Sequence, residues 1–214
     1  MTPVKVKICG VTSVEDAQLA AELGASAIGL VFWPSSPRCV DVQTARAIIE
    51  ALPPFVSAVG VFVNQIDNAR NIAHEVGLSA VQFHGDERPE DYYGFRPRVI
   101  KAVTIADSST QAASWFNAVP GHVTVLLDAH DPVKRGGTGR RIDWSIAASI
   151  ARQRRVILSG GLNAENVADA ITAVRPYAID VSSGVESAPG QKDPATLRAL
   201  FDALRDFRLK AEAT

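Results

Sequence analysis

The 214-residue sequence has no long apolar run and no strong excess of either charge. No stretch approaches the roughly 18–20 apolar residues that a membrane-spanning helix needs, and the N-terminal segment does not have the layout of a signal peptide. The formal net charge at pH 7 is −1, so the chain has no general attraction for nucleic acid or anionic membranes. We therefore predict a cytoplasmic protein without nucleic-acid or membrane partners, which binds any anionic ligand at a local site.

Cysteine is scarce, and the common metal-binding motifs are missing. Cys9 and Cys39 are the two cysteines, and without an export signal we expect both thiols to be reduced. The four histidines have no ligand-like spacing, and the sequence contains no HExxH motif or Cys/His cluster. The sequence therefore predicts no bound metal. It also disfavours a cysteine hydrolase, because no His and Asp partners lie near Cys9 in the chain.

What the sequence does contain is a regular alternation of strand and helix patterns. Short apolar runs, typical of parallel strands buried on both faces, begin near residues 4, 26, 56, 79, 98, 122, 154 and 177. Helix patterns follow them over about 13–23, 41–51, 64–77, 89–94 and 107–118, from near 143, over 163–174, and from 193 onward.

The starts of several helices are marked by capping residues. Thr12 or Ser13 is expected to begin the first helix, with Glu15 as the capping-box partner of Thr12. Asn64 and Asn163 are expected to cap two later helices in the same way.

Eight strand–helix units, without a linker, a low-complexity segment or a remaining second domain, predict one domain over residues 1–214. We predict an α/β fold, a single (β/α)8 TIM barrel, although this length is short for a fold that usually takes about 250 residues. A doubly wound open sheet is the alternative, but such sheets usually have about five or six strands.

In a (β/α)8 barrel, catalytic groups lie at the carboxyl ends of the strands and in the loops that follow. Several chemically active side chains are predicted at those positions. They are Cys9, Arg38, Asn64, His84, Lys101, Asp128, Ser159 and Asp180. A thiol, carboxylates and a guanidinium at one mouth are more than a purely structural barrel requires.

Two glycine-containing turns follow the seventh and eighth strands, Gly160-Gly161 and Ser183-Gly184. Barrels of this class commonly bind phosphate at these two loops, where backbone N–H groups and a helix N-terminus face the anion. The alternative is that the glycines only allow tight turns. Their occurrence in adjacent loops favours a phosphate site.

Asp128 and Cys9 are candidates for proton transfer. Asp128 ends an otherwise apolar strand, which suits a general acid; a helix cap or a structural ion pair is the alternative. A thiol can act as a base once its neighbours tune its ionisation. From its own surroundings, however, a small buried residue is the simpler interpretation of Cys9. Gly10, which ends the first strand, is expected to leave room for the thiol.

Arg38 and His84 are candidates for substrate binding. Arg38 lies in a proline-bracketed loop, and its planar guanidinium suits bidentate binding of a carboxylate. An ordinary surface arginine is the alternative. His84, at the end of the fourth strand, could orient a substrate or remain neutral under the barrel rim.

Seven segments occur in order along nearly the whole chain: KICGVTSVEDA, SPRCV, GVFVN, VQFHGDE, LLDAHDPVKRGGTGRRIDW, LSGGLNAENV and DVSSGVESAPGQKD. Together they resemble the phosphoribosylanthranilate isomerase family. The resemblance implies a (β/α)8 barrel that acts in tryptophan biosynthesis. It also implies an Amadori rearrangement of N-(5-phosphoribosyl)anthranilate to 1-(2-carboxyphenylamino)-1-deoxyribulose 5-phosphate, which requires no metal or redox cofactor.

The resemblance also implies roles for individual residues. Cys9 would be the general base, Asp128 the general acid and Arg38 the group that holds the anthranilate carboxylate. The phosphate-binding residues would be Gly160, Gly161, Ser183 and Gly184, and the supporting residues His84 and Asp180. The sequence departs from the family pattern at Phe83, where an aliphatic residue is expected, and at Cys39, where an aromatic residue is common. Neither departure touches an implied catalytic position.

Two other functions are open at this point. One is the histidine-pathway isomerase, whose barrel has two phosphate sites. The third strand here ends in VFVN, without a glycine-rich turn, which favours a substrate with one phosphate. The other is a catalytically silent phosphate-binding barrel, against which Cys9 and Asp128 together argue. The expected partner is a small-molecule substrate, and the chain is expected to be a monomer or a homodimer.

Overall fold

Eight parallel strands close into a barrel in which each strand pairs with its neighbours in chain order and the first pairs with the last. The computed structural model describes residues 4–92, 94–96, 98–105, 118–129 and 143–212. The strands are β1 (Lys5–Cys9), β2 (Ala27–Val31), β3 (Ser57–Phe62), β4 (Ala80–Phe83), β5 (Arg98–Ile105), β6 (Thr124–Ala129), β7 (Val156–Leu158) and β8 (Ala178–Val181). The predicted barrel is confirmed, and the open sheet is excluded.

Helices connect the strands. They are α1 (Val14–Leu23), α2 (Val42–Glu50), α3 (Ile66–Val76), α4 (Trp144–Ala151), α5 (Val167–Val174) and α6 (Pro194–Glu212), with a 3-10 turn at Pro89–Tyr92. The helix predicted over 107–118 lies almost entirely outside the described residues. Among the described helices, none combines the length and the apolar character needed to cross a lipid bilayer.

The inner faces of several strands are apolar low in the barrel and polar at the mouth. An inner apolar cluster consists of Val59, Ile100, Ala102, Leu126, Ile157 and Ala178. Since inward-facing residues recur at every second position, the next inward residues on β6, β7 and β8 are Asp128, Ser159 and Asp180. The outward residues pack with the helices in a larger apolar cluster. On β6, β7 and β8 the fold therefore places polar groups at the carboxyl end.

The prediction that Lys101 reaches the mouth is wrong. Lys101 lies within β5, next to the inward-facing Ala102, and therefore points to the outer side of the barrel. There its Nζ donates to Glu87 Oε2 at 2.8 Å and to the carbonyl of Gly85 at 2.6 Å. Glu87 also accepts from the backbone N–H of Asn64 at 2.7 Å and of Gly85 at 2.9 Å. This buried carboxylate thus joins the ends of β3, β4 and β5.

Asn64 does not cap α3. It adopts a positive φ of 53°, and its side-chain oxygen accepts from the backbone N–H of Asp86 at 2.8 Å. The N-cap position of α3 belongs to Gln65, whose side chain makes no capping hydrogen bond. The amide of Asn64 therefore supports the loop after β4 instead of the helix.

The first helix begins at Ser13, one of the two predicted positions. The Ser13 hydroxyl accepts from the backbone N–H of Asp16 at 3.2 Å. Thr12 instead donates to the carbonyl of Gly190 at 2.5 Å, so the capping box between Thr12 and Glu15 is wrong. Thr12 contributes to a tertiary contact with the far end of the chain.

A short hairpin follows β8 and was not predicted. Its strands are β9 (Glu186–Ala188) and β10 (Gln191–Lys192), joined by a turn in which Gly190 has a φ of 85°. The sequence pattern of this segment is too short and too polar to indicate strands. The hairpin supplies two charged residues to the barrel mouth, as described below.

The buried pair of Lys101 and Glu87 yields a stability prediction. Their side chains are 2% and 1% exposed, so Lys101→Met should lower the free energy of unfolding by about 3–5 kcal/mol, because Glu87 keeps a buried charge without its partner. Urea denaturation at neutral pH measures the loss.

The exposed pair of Arg46 and Glu75, at 51% and 53% exposure, provides the matched control. Arg46→Met should cost less than about 1 kcal/mol. Equal effects of the two substitutions would contradict the stabilising role of the buried pair.

Candidate active site

A cavity at the carboxyl ends of the strands brings together the residues to which the family resemblance gives a role, whereas Asn64 and Lys101 lie outside its lining. Its larger part encloses about 550 Å³ including the open mouth, and its lining includes Cys9, Arg38, His84, Asp128 and Asp180. The lining of the smaller, adjoining part includes Gly160, Gly161, Ser183 and Gly184. Asp128 and Asp180 line both parts, so the two form one continuous site.

Cys9 ends β1 and is 8% exposed. Gly29, its register partner on β2, provides the space for the thiol. A Cβ atom at Gly29 would lie 2.8 Å from Cys9 Sγ and 3.0 Å from Lys7 Cε, so one of these side chains would have to move. The expectation that Gly10 makes this room is wrong. A Cβ at Gly10 would instead overlap the side chain of Arg38.

A buried ion pair lies beneath Cys9. Lys7 Nζ is 2.8 Å from Asp180 Oδ1, and both residues are buried. Lys7 lies two positions before Cys9 on the same face of β1, and its Cε and Cys9 Sγ both lie within 3.0 Å of the position that a Cβ at Gly29 would occupy. Although burial opposes its charge, Asp180 and the thiol raise the pKa of Lys7, which stays an ammonium. Burial raises the pKa of Cys9, and the Lys7 charge acts in the opposite direction.

His84 connects the floor of the cavity to Asp128. Its Nε2 is 3.2 Å from Asp128 Oδ2, and its Nδ1 is 3.2 Å from Gln82 Nε2. Both ring nitrogens of His84 are therefore held by neighbouring side chains. The described residues include no group of three or more His, Cys, Asp or Glu side chains arranged to hold a metal ion.

Arg38 is held in place by a charged network. Its Nε donates to Glu186 Oε1 at 2.9 Å and its Nη2 to Glu186 Oε2 at 2.6 Å. Lys192 Nζ donates to Glu186 Oε1 at 2.7 Å and to the backbone carbonyl of Cys9 at 2.6 Å. The hydrogen bonds that Arg38 donates to Glu186, opposed by burial, raise the pKa of Arg38. Among the described residues, Nη1 of Arg38 makes no hydrogen bond, which leaves it directed to other ligands.

The glycines of the smaller part both shape its loops and line the cavity. Gly160 and Gly161 have φ values of 92° and 63°, in the region that disfavours other residues. A Cβ at Gly184 would overlap the carbonyl oxygen of Leu162, so the two loops touch at this point. The tight turns and the cavity lining are therefore properties of the same residues.

Asn163 and Asn166 order the start of α5. The side-chain oxygen of Asn163 accepts from the backbone N–H of Glu165 at 3.0 Å and of Asn166 at 3.1 Å. Asn166, which holds the N-cap position, donates through Nδ2 to the carbonyl of Gly161 at 2.9 Å. The prediction that Asn163 caps this helix is therefore wrong: Asn163 caps the turn before the helix, and Asn166 holds the N-cap position.

Sequence reasoning missed four charged or polar residues of the site: Lys7, Gln82, Glu186 and Lys192. A signal existed for Lys7, because strand alternation places it on the same face as Cys9, and likewise Gln82 shares the face of His84. No signal existed for Glu186 and Lys192. They reach the site through the hairpin, whose position depends on contacts with β1 and with the loop after β2.

The network around Glu186 predicts a pH-dependent stability. Burial opposes the charge, but hydrogen bonds from Arg38 and Lys192 hold the pKa of Glu186 below its ordinary value of 4.5. A depressed pKa stabilises the fold above about pH 4.5, and this stabilisation is lost as the pH falls through the folded-state pKa.

Glu186→Gln should therefore lower the free energy of unfolding by about 1–3 kcal/mol at neutral pH, since it weakens the bonds of two buried cations. The difference from wild type should shrink below about pH 4.5. Denaturation at several pH values measures it, with the exposed Glu75→Gln as control. A difference that stays constant down to acid pH would contradict the assignment.

Curated proteins and solved structures that are similar to this chain over nearly its whole length are named as phosphoribosylanthranilate isomerases. A family model for N-(5'phosphoribosyl)anthranilate (PRA) isomerase matches residues 6–203. The N-(5'-phosphoribosyl)anthranilate isomerase of Citrifermentans bemidjiense is 48% identical over 207 residues, which cover 96% of this chain and 98% of that protein. The phosphoribosyl anthranilate isomerase structure from Thermotoga maritima matches with a TM-score of 0.87 and 42% identity, over 95% of this chain and 99% of that one.

A further isomerase structure, in complex with reduced 1-(o-carboxyphenylamino)-1-deoxyribulose 5-phosphate, matches with a TM-score of 0.84 and 40% identity. It covers 95% of this chain and 99% of its own. The family model and the relatives each span most of the chain and include the strands that form the site. The chain therefore belongs to the N-(5'-phosphoribosyl)anthranilate isomerase family.

Proposed function

We propose that this cavity performs the family's isomerase reaction with Cys9 as the general base and Asp128 as the general acid. The chain is an isomerase of tryptophan biosynthesis that converts N-(5-phosphoribosyl)anthranilate to 1-(2-carboxyphenylamino)-1-deoxyribulose 5-phosphate. One observation carries the residue assignment: a thiol, a carboxylate, a guanidinium and two glycine turns line one cavity. Each group suits a different part of the same substrate.

The substrate is proposed to lie across the two parts of the cavity. Its phosphate occupies the smaller part, where the loops of Gly161 and Gly184 meet ahead of α5. Its anthranilate ring packs on the apolar patch of Val31, Val61 and Trp33 beside Cys9. The ring carboxylate then accepts hydrogen bonds from Arg38, which Glu186 has already oriented.

The proposed chemistry needs one proton donor and one proton acceptor. Asp128 gives its proton to the furanose ring oxygen, the C1–O bond breaks, and the nitrogen lone pair forms an iminium with C1. The Cys9 thiolate removes the proton from C2, the C–H electrons form the C1=C2 bond, and the iminium electrons return to nitrogen. The enolamine then tautomerises to the ketone. Each proton transfer typically contributes about 10²–10⁴-fold in rate.

His84 and Asp180 act as supporting residues in this scheme. The hydrogen bond from His84 Nε2 fixes the orientation of the Asp128 carboxyl group. Asp180 holds Lys7 beneath the thiol. Neither residue has to exchange a proton with the substrate.

Two observations favour this function over its alternatives. The histidine-pathway isomerase needs a second phosphate site on the opposite side of the barrel. Here the backbone N–H groups of Asn64 and Gly85, at the ends of β3 and β4, already donate to the Glu87 carboxylate. A silent phosphate-binding barrel would have no use for Cys9 and Asp128 in the same cavity.

Cys9→Ser and Asp128→Ala should each lower kcat by about 10²–10⁴-fold with little change in KM, because each removes a proton-transfer group. The decrease in phosphoribosylanthranilate fluorescence measures turnover. Cys39→Ser is the control, since Cys39 is exposed and its thiol contacts only the carbonyl of Val40 among the described residues. Near-normal turnover in the Cys9 or Asp128 variant would rule out the corresponding role.

Arg38→Ala should act on substrate binding. Loss of a hydrogen bond to a charged group costs about 1.5–3 kcal/mol, which corresponds to a rise of about 10- to 100-fold in KM, with a smaller effect on kcat. Steady-state kinetics measures both constants, and Arg46→Ala on the exposed face of α2 is the control. An unchanged KM would count against the role of Arg38.

The cellular location and the oligomeric state of the enzyme are also proposed. A mechanism that depends on a free Cys9 thiol suits a reducing compartment, so we place the enzyme in the cytoplasm. The chain acts as a monomer or a homodimer. The Thermotoga maritima isomerase is dimeric, and in this chain Phe55 is 95% exposed, a surface that a homodimer would cover. Sedimentation velocity distinguishes the two states.

A further inference from the structure

The proposed acid–base chemistry gives no role to the buried charge of Lys7. Lys7 is 3% exposed and points into the barrel from β1. An apolar side chain at this position would fill the interior without requiring a counter-ion. A buried ion pair is not in itself a gain in stability compared with apolar packing. The location of Lys7 directly below Cys9 therefore requires another explanation.

We propose that Lys7 is a positioning residue that stabilises the thiolate of Cys9, and that Asp180 limits the strength of this effect. The proposal rests on the assignment of Cys9 as the general base. Lys7 and Asp180 shift the pKa of the Cys9 thiol in opposite directions, so substitutions of the two residues should have opposite effects.

The geometry places the Lys7 ammonium between two anionic partners. Its Nζ is 2.8 Å from Asp180 Oδ1, and the Cys9 thiol lies on the same face of β1, near enough for the ammonium to lower the thiol pKa. Gly29 keeps both side chains together, because a Cβ at that position would press on Cys9 Sγ and on Lys7 Cε at the same time. The alternation of β1 brings the two side chains to one face.

Other charged groups also lie near Cys9. Lys192 lowers the pKa of Cys9 as well, and its ammonium is bonded to the backbone carbonyl of Cys9 and to Glu186. The titratable and charged groups that face the thiol or line its cavity are Lys7, Asp180, Lys192, Glu186, Arg38, His84 and Asp128. Of the cations, Lys7 has the largest effect on the Cys9 pKa, and its side chain shares a face of β1 with the thiol.

The electrostatics agree in sign with this arrangement. Burial raises the pKa of Cys9, Lys7 lowers it, and Asp180 raises it. When the thiolate accepts the C2 proton, Lys7 loses one anionic partner but keeps the other. The ammonium therefore remains paired in both protonation states of Cys9, so the base can be regenerated without leaving a buried cation alone.

The test measures the ionisation of Cys9 directly. In a Cys39→Ser background, Cys9 is the only thiol, and its thiolate absorbs in the ultraviolet. A pH titration of this absorbance, with the Cys9→Ser protein subtracted, gives the thiol pKa. Lys7→Met should raise that pKa. Asp180→Asn, whose amide oxygen still accepts a hydrogen bond from Lys7, should lower it.

Kinetics provide a second measurement. Lys7→Met should lower kcat/KM at neutral pH by about tenfold or more, because an opposite charge so close to the sulfur strongly favours its ionised form. The loss should be recovered at alkaline pH, where the thiolate forms without help. A purely structural defect would lower activity equally at every pH.

The outcomes separate the inference from the assignment of Cys9. If Lys7→Met folds poorly because Asp180 keeps an unpaired charge, Lys7→Met combined with Asp180→Asn removes both charges and should still raise the thiol pKa. Thiol pKa values that do not move in these variants, or that move in the same direction for Lys7→Met and Asp180→Asn, would overturn the inference. An active Cys9→Ser protein would instead overturn the assignment of the base, whatever the titrations show.

Discussion

The ion pair of Lys7 and Asp180 links the architecture of this enzyme to its chemistry. The two residues face each other in the register between β1 and β8, the contact that closes the barrel. A shift of one residue in that register would turn one charge to the outside and leave the other buried without a partner. The pair therefore specifies how the barrel closes, and the same closure brings the thiol on β1 into one cavity with the glycine turns after β7 and β8.

The rim of the barrel is divided into two unequal halves. On the side of β7 and β8, glycine turns line the cavity. On the side of β3 and β4, the backbone N–H groups of Asn64 and Gly85 already donate to the carboxylate of Glu87. In the proposed binding mode, this occupied half favours a substrate with a single phosphate, as the open half does.

The sequence was sufficient to predict the eight strands and the residues at their ends, because period-two alternation and short apolar runs are local signals. The positions of Cys9, Asp128 and the two glycine turns follow directly from them. The partners of these residues could not be predicted. Glu186 reaches Arg38 across 148 residues of sequence, and Gly29 accommodates Cys9 only through strand pairing. Asn64 and Lys101 were misjudged for the same reason, since Glu87, which binds both, gives no local pattern.

Closure by the first and last strands also sets the order in which the enzyme can mature during synthesis. Lys7 and Asp180 are 173 residues apart, which a ribosome adds in about 9–35 s at typical rates of about 5–20 residues per second. Throughout that interval β1 has a partner on one edge only, and its lysine has no counter-ion. The nascent chain must therefore keep an unfinished strand edge protected until its C-terminal quarter emerges. Cys9 is translated long before Asp180, yet its thiol reaches its final surroundings only when β8 has paired with β1.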